Sequence, residues 1–467
     1  MGRASVFAIL LSLILAGCAI SPPPHVAENQ LCRFHTFPIA LPLTEAPTQG
    51  DTLASEIQTA LTARAETRAG QPFKLLALSG GSLHGAFGAG FLDGWRRSIP
   101  GQRLPEFDVV TGISTGSILS TFAFLGNTER GVSRYAISNE SELLTPIGRN
   151  RRDGSMSPFE LIRVARRGAV ADLAPLRGVL LTEISPDVMR AVAQANADHR
   201  KLYVGAVDMD SGQASAFDMT QMAADYVAAG AAGITETPDQ VRLRTCYVDA
   251  IIASSSAPLA AVPVFIDNGM FVDGGMRFGM FADDVIQGAT TAAKASGQPS
   301  EFYVIANGDL ETPPVCGRTE EAMCTANPPT GRATDPRTSW SLLNLALRSE
   351  QVLVNQVYRF SADHIIVEQK LGNRVWFTRI DRPALNAHLF PMDAPALATL
   401  PPDQAHPDGR HSCSEWKDED ERTMHPIQFY PRYMHCLIDY GSRRGEAGGW
   451  DIQPLPEAPV APAAPKP

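Results

Sequence analysis

The sequence predicts an α/β protein built on a mostly parallel sheet, and three observations carry that prediction. From Phe73 onward, short apolar runs of strand length alternate with helix-patterned stretches. The first two runs each end in a glycine-containing turn that opens a helix, the order expected of parallel strands joined by crossovers. The chain has 467 residues, 44% hydrophobic and 19% charged, which is enough apolar material for a large core. In order, residues 51–68 have a helical pattern, and Phe73-Lys-Leu-Leu-Ala-Leu78 reads as a buried strand. Residues 85–95 read as a helix whose Gly85, Ala86, Gly88, Ala89 and Gly90 let it lie close on a sheet. Residues 107–113 form the second strand and Thr115–Leu125 the helix after it. Residues 201–207 and 301–306 supply further buried strands, while 340–360 and 433–443 read as helices. The 36 prolines imply long irregular connections.

Fifty acidic against 40 basic residues give a net charge of −10, the wrong sign for neutralising phosphates, so nucleic acid is not an expected partner. Two basic clusters stand out, Arg149, Arg151 and Arg152, then Arg163, Arg166 and Arg167. They read as a solvated face, with contact to anionic lipid headgroups as the sharper alternative.

The chain begins Met-Gly-Arg, continues with an apolar run over 6–15 and reaches Leu15-Ala16-Gly17-Cys18, the pattern of an export signal. That run is too short to span a hydrocarbon layer of ~30 Å. Leu15-Ala16-Gly17-Cys18 resembles the lipobox of bacterial lipoproteins, which implies a signal peptide over 1–17, cleavage before Cys18 and lipid on its thiol. The resemblance places the protein in the cell envelope, lipid-anchored at the outer membrane and facing the periplasm, with 18–68 as a tether and helix. The six other cysteines suit an oxidising compartment, and the pairing favoured is Cys316 with Cys324, Cys413 with Cys436 and Cys32 with Cys246. His406, His411, Cys413, His425, His435 and Cys436 contain no Cys-x-x-Cys, so no metal is expected. Residues 451–467, mostly Pro and Ala, read as a disordered tail.

Three motifs carry chemistry. Gly112-Ile113-Ser114-Thr115-Gly116 fits G-x-S-x-G between a strand and a helix, the context in which the turn lifts a serine out of the sheet and sets it at a helix N-terminus. Ser79-Gly80-Gly81-Ser82-Leu83-His84-Gly85-Ala86 follows a strand and can converge backbone N–H groups on an anion. It lacks the Gly-Lys-Ser/Thr ending of a phosphate loop. Phe271-Val272-Asp273-Gly274-Gly275 ends an apolar run with an aspartate and two glycines.

In this order the three motifs resemble the patatin-like phospholipase family, over about 73–310, with Ala253-Ser-Ser-Ser-Ala-Pro258 ahead of the aspartate as further support. The resemblance implies a three-layer α/β/α fold, a catalytic core over 69–310 and a part at 311–450 that completes or caps it. It implies Ser114 as nucleophile, Asp273 as general base, and Gly80, Gly81 and Ser82 as the oxyanion hole. Gly85, Gly112, Gly116 and Gly274 support the motifs. The activity implied is hydrolysis of lipid acyl esters such as phospholipids, with no cofactor. Ser82 stands where the family usually has a third glycine, a change that a negative φ would accommodate, and His84 stands where it usually has Arg or Lys. Two other readings are an α/β-hydrolase with a Ser-Asp-His triad, for which His364 and His388 follow Asp273 in the right order, and a lipid-binding lipoprotein without catalysis.

Overall fold

The computed structural model describes residues 26–39, 52–148, 158–233, 235–308, 310, 342–370, 373–391, 397 and 409–454. Cys18, the first basic cluster, Cys316, Cys324, His406 and residues 455–467 lie outside them. The central sheet contains β1 (Thr36–Pro38), β2 (Phe73–Leu78), β3 (Val109–Ile113), β4 (Lys201–Asp208), β5 (Ala214–Asp218), β6 (Val264–Ile266), β7 (Gly269–Asp273), β8 (Ser300–Ala306) and β9 (Arg374–Arg379). Its order is β1-β5-β4-β3-β2-β8-β9, and the five strands from β4 to β9 are all parallel. Buried strand residues alternate between two cores. Leu76, Leu78, Val110, Leu202 and Val204 join the core shared with helices Gly85–Ser98, Thr115–Leu125, Pro238–Ser255 and Pro431–Glu446. Phe73, Leu75, Val109, Ile113 and Tyr203 join the other, against Leu53–Thr67, Asp283–Ser296 and Leu342–Lys370. This is the three-layer α/β/α arrangement, and the run of residues buried on both sides is why these strands read as continuous apolar stretches.

The register of β4 positions the functional residues. Ile113 of β3 lies opposite Gly205, and Asp273 of β7 lies opposite Ala206, the next residue along β4. The other edge of β4 is occupied by β5 over 203–207, so β3 and β7 share one edge, end to end. Ser114, which follows Ile113, therefore emerges beside Asp273.

Three expectations are corrected. Composition assigns 18–50 to a tether, yet Phe37 is buried and β1 pairs with β5 as the edge of the sheet, because the alternation around Phe34-His-Thr-Phe37 is hidden among prolines. Cys32 bonds to Cys246 across a separation of 214 residues. Asp451 and Ile452, assigned to the tail, hydrogen-bond to β9 through the Phe377 and Arg379 backbone; the Pro/Ala bias belongs to residues further on. Gly90, expected against the sheet, packs instead on Pro431–Glu446: a Cβ there would meet the Ile438 carbonyl oxygen at 2.2 Å. Gly94 faces the Ser442 carbonyl and Gly441 and Gly445 face those of Phe87 and Phe91, so two glycine-lined helices interlock backbone to backbone. Cys413 and Cys436 form a disulfide that fastens this second helix to Cys413–Met424.

Gly94→Val must displace the Ser442 carbonyl, which a Cβ would meet at 1.9 Å. It is expected to lower the unfolding free energy by about 1–3 kcal/mol. Gly178→Ala, with no atom within 4 Å of the new Cβ, is expected to raise it by up to ~1 kcal/mol by improving the helix Ala174–Glu183. Urea denaturation reads both.

Candidate active site

Ser114 sits between β3 and Thr115–Leu125 with φ +53° and ψ −125°, a conformation that costs a non-glycine residue about 1–3 kcal/mol. Gly112 and Gly116 make the turn possible by close approach: a Cβ at Gly112 would meet the Gly116 carbonyl oxygen at 2.6 Å, and one at Gly116 would meet that of Leu78 at 2.2 Å. Hydrogen bonds hold the strained residue. Its N–H donates to Ser254 Oγ at 2.9 Å, and that hydroxyl donates to the Gly205 carbonyl at 2.6 Å. Its carbonyl accepts from Ser117 Oγ at 2.6 Å and from Ser255 Oγ at 3.1 Å. Ser256 completes the set by accepting the Asp273 N–H through its carbonyl at 3.0 Å. The serine run ahead of the aspartate thus clamps the backbone of both Ser114 and Asp273.

Asp273 is 7% exposed; its carboxylate accepts the Gly275 N–H at 2.7 Å, and the neighbouring Ser114 side chain also favours its charged form. Burial pushes the carboxyl up to about 6 despite these two neighbours, which favour the charged form. Gly274 must be small, since a Cβ would meet the Gly205 carbonyl oxygen at 2.5 Å.

The glycine loop lies beside Ser114: a Cβ at Gly80 would meet Ser114 Cβ at 2.8 Å. Its start is tied down by the end of β8, where the Asn307 N–H donates to Ser79 Oγ and Asn307 Nδ2 to the Ser79 carbonyl, each at 2.8 Å. Among the described residues the N–H groups of Gly80, Gly81 and Ser82 find no acceptor. Three unpaired donors beside a buried serine are what an anion site requires. Ser82 corrects an expectation, for its φ is +53° rather than negative. Its strained loop is braced from the far end of the chain. Gln428 Nε2 donates to Ser82 Oγ at 2.6 Å, and Tyr433 Oη lies 3.3 Å from His84 Nε2. Gln428 is in turn held by Glu140, whose carboxylate accepts the N–H groups of residues 427, 428 and 429. Both residues that depart from the family pattern therefore contact the C-terminal segment.

The later histidines are engaged elsewhere: His364 Nε2 lies 2.9 Å from Asp283, His388 Nε2 lies 2.9 Å from Asp439, and His435 Nε2 lies 3.1 Å from the Ile137 carbonyl oxygen. Arg163, Arg166 and Arg167 are exposed on Pro158–Arg167. Two residues near the dyad escape sequence reasoning, Glu350 and Tyr358 of the 29-residue helix Leu342–Lys370. Burial and the charge of Asp273 raise the Glu350 carboxyl to about 7 and hold the Tyr358 phenol well above its usual range. No motif marks either one. The Ser254–Ser256 run was visible, though its clamping role was not.

Ser254→Ala leaves the buried Ser114 N–H unpaired and is expected to destabilise the fold by about 1–3 kcal/mol, measured as a lowered midpoint in chemical denaturation.

A comparison with curated proteins returns no match. Residues 76–286 match the family model of patatin-like phospholipases.

Proposed function

We propose that the protein is a lipid acyl hydrolase of phospholipase A or carboxylesterase type, working through an acyl-serine intermediate on a Ser-Asp dyad. The observation that carries this reading is the nearness of Ser114 to the buried Asp273 carboxylate across one edge of β4, beside three loop amides with no acceptor among the described residues. Ser114 Oγ attacks the acyl carbon while Asp273 accepts its proton. The carbonyl π electrons move onto oxygen, and the Gly80, Gly81 and Ser82 amides receive the negative charge. Collapse expels the alcohol, which takes the proton from Asp273, and water then releases the acid by the same steps in reverse. A carboxylate raised to about 6 is a better base than an ordinary aspartate and is still ionised at neutral pH. The helix Thr115–Leu125 adds its N-terminal partial charge at Ser114. Engagement of His364, His388 and His435 with other partners supports the dyad over a triad.

The export signal and lipobox place the enzyme, on this reading, on the outer membrane by lipid at Cys18, with membrane phospholipid as the nearest substrate. Cys18→Ser is expected to shift the protein out of the membrane fraction and to remove the lipid mass from the mature chain.

A fluorophosphonate is expected to label Ser114, and labelling at another residue overturns the assignment. Ser114→Ala and Asp273→Asn are each expected to abolish turnover, since a general base contributes about 10²–10⁴-fold. Single substitutions of His364, His388, His406, His411, His425 and His435 are expected to leave most of it. With Asp273 raised to about 6, kcat/KM is expected to fall as pH drops through about 6, because the protonated carboxyl cannot accept the serine proton. Glu350, raised to about 7, shares that acid limb, so the apparent pKa belongs to the pair.

A further inference from the structure

We propose that Tyr358 donates a hydrogen bond from its phenol to the oxyanion of the acyl substrate, making it a further catalytic residue supplied by a helix outside the matched domain. This rests on the hydrolase reading above and adds a participant to it.

Four observations support the assignment. First, the Tyr358 hydroxyl lies against the loop that carries the unpaired amides. A Cβ at Gly80 would meet Tyr358 Oη at 1.9 Å and Ser114 Cβ at 2.8 Å, so the phenol oxygen and the serine side chain flank one backbone position. Second, the same oxygen reaches the Asp273 side, since a Cβ at Gly275 would meet Asp273 Oδ1 at 3.0 Å and Tyr358 Oη at 3.2 Å. Third, Tyr358 is only 4% exposed, yet its hydroxyl makes no hydrogen bond to any described residue. The ring is buried while the hydroxyl oxygen is not among the sealed polar atoms without a partner, so water or a substrate can reach it. Fourth, the ring is fixed. It packs against Gly308, where a Cβ would meet Tyr358 Cδ1 at 2.4 Å, and its Cα against Gly279, where the distance is 2.7 Å. One turn further along the helix, Ser361 Oγ accepts the Gly279 N–H at 3.1 Å.

The chemistry assigns the phenol as a donor. Asp273 and Glu350 both oppose its ionisation, so it keeps its proton throughout the working range and cannot compete with Asp273 as base. As Ser114 Oγ bonds to the acyl carbon and Asp273 takes its proton, the carbonyl oxygen gains the electron pair of the C=O π bond. The Tyr358 O–H donates to that oxygen without transferring its proton, as the loop amides do.

Tyr358→Phe removes one oxygen that makes no internal bond and keeps the ring, so folding is preserved. The variant is expected to lose about 10²–10³-fold in kcat, the usual effect of one oxyanion donor. KM should stay close to wild type and the thermal midpoint should be unchanged or higher. Across short-chain esters whose leaving alcohols range from p-nitrophenol to ethanol, the loss should be the same for every ester, because the oxyanion is common to all. Wild-type kcat in Tyr358→Phe overturns the proposal. A loss confined to poor leaving groups also overturns it, by placing the phenol on the departing oxygen, and so does a loss matched by a fall in thermal midpoint, which marks a packing role. Fluorophosphonate labelling of the wild type separates this from the parent reading: if Ser114 takes no label and no ester is cleaved, the dyad fails, whereas a labelled, active wild type with an indifferent Tyr358→Phe removes Tyr358 alone.

Discussion

The arrangement turns on one edge of one strand. β4 offers the same edge first to β3 and then to β7, with Gly205 opposite Ile113 and Ala206 opposite Asp273. That register joins a parallel strand and an antiparallel one end to end, and it brings a residue that follows one strand to a residue that ends another. Gly205 matters at this junction for lack of bulk. Its own Cβ would meet the Phe281 ring at 2.9 Å, while its carbonyl receives Ser254 Oγ and faces Gly274. A shift of one residue in the β4–β7 pairing would turn Asp273 to the opposite face of the sheet.

Unfavourable local choices are concentrated around this junction. Ser114 and Ser82 hold positive φ, Asp273 is ionised while buried, and three loop amides lack acceptors among the described residues. Raising Asp273 from 3.8 to about 6 weakens the folded state by on the order of 3 kcal/mol at neutral pH. By linkage that penalty is complete above about pH 6, fades as pH falls from there toward the ordinary aspartate value, and is gone below it. The opposing stabilisation is structural: serine hydroxyls on Ser114, Asn307 on Ser79, Gln428 on Ser82, and two apolar cores on either side of the sheet.

The parts legible in the sequence were those whose cause is local. A strand buried on both faces must be apolar along its length, and a sharp strand-to-helix turn demands glycine where backbones touch, so 73–125 and the Asp273 motif could be read directly. Residues that act through distance could not. Tyr358 lies on a helix after a long proline-containing stretch, and nothing in the pattern of that helix separates it from an ordinary core tyrosine. Gln428 and Tyr433 matter only because of where the helix Pro431–Glu446 and the segment leading into it dock. β1 was obscured because three strand residues among prolines carry no measurable period, and its place is evident only once β5 presents a free edge.

The interlocked helices Gly85–Ser98 and Pro431–Glu446 bear on the order in which the molecule can be assembled. The glycine loop leads into the first of them, but its braces, Gln428 on Ser82 and Tyr433 on His84, arrive 346 and 349 residues later. Contacts of such long sequence separation form late, after the loop-closure entropy has been met by the rest of the fold. A chain still being made would carry its serine and glycine loop long before it could hold them in place. The helix Pro431–Glu446 and the residues just before it then act as a completion check, withholding a rigid anion site from any chain in which they have not yet docked.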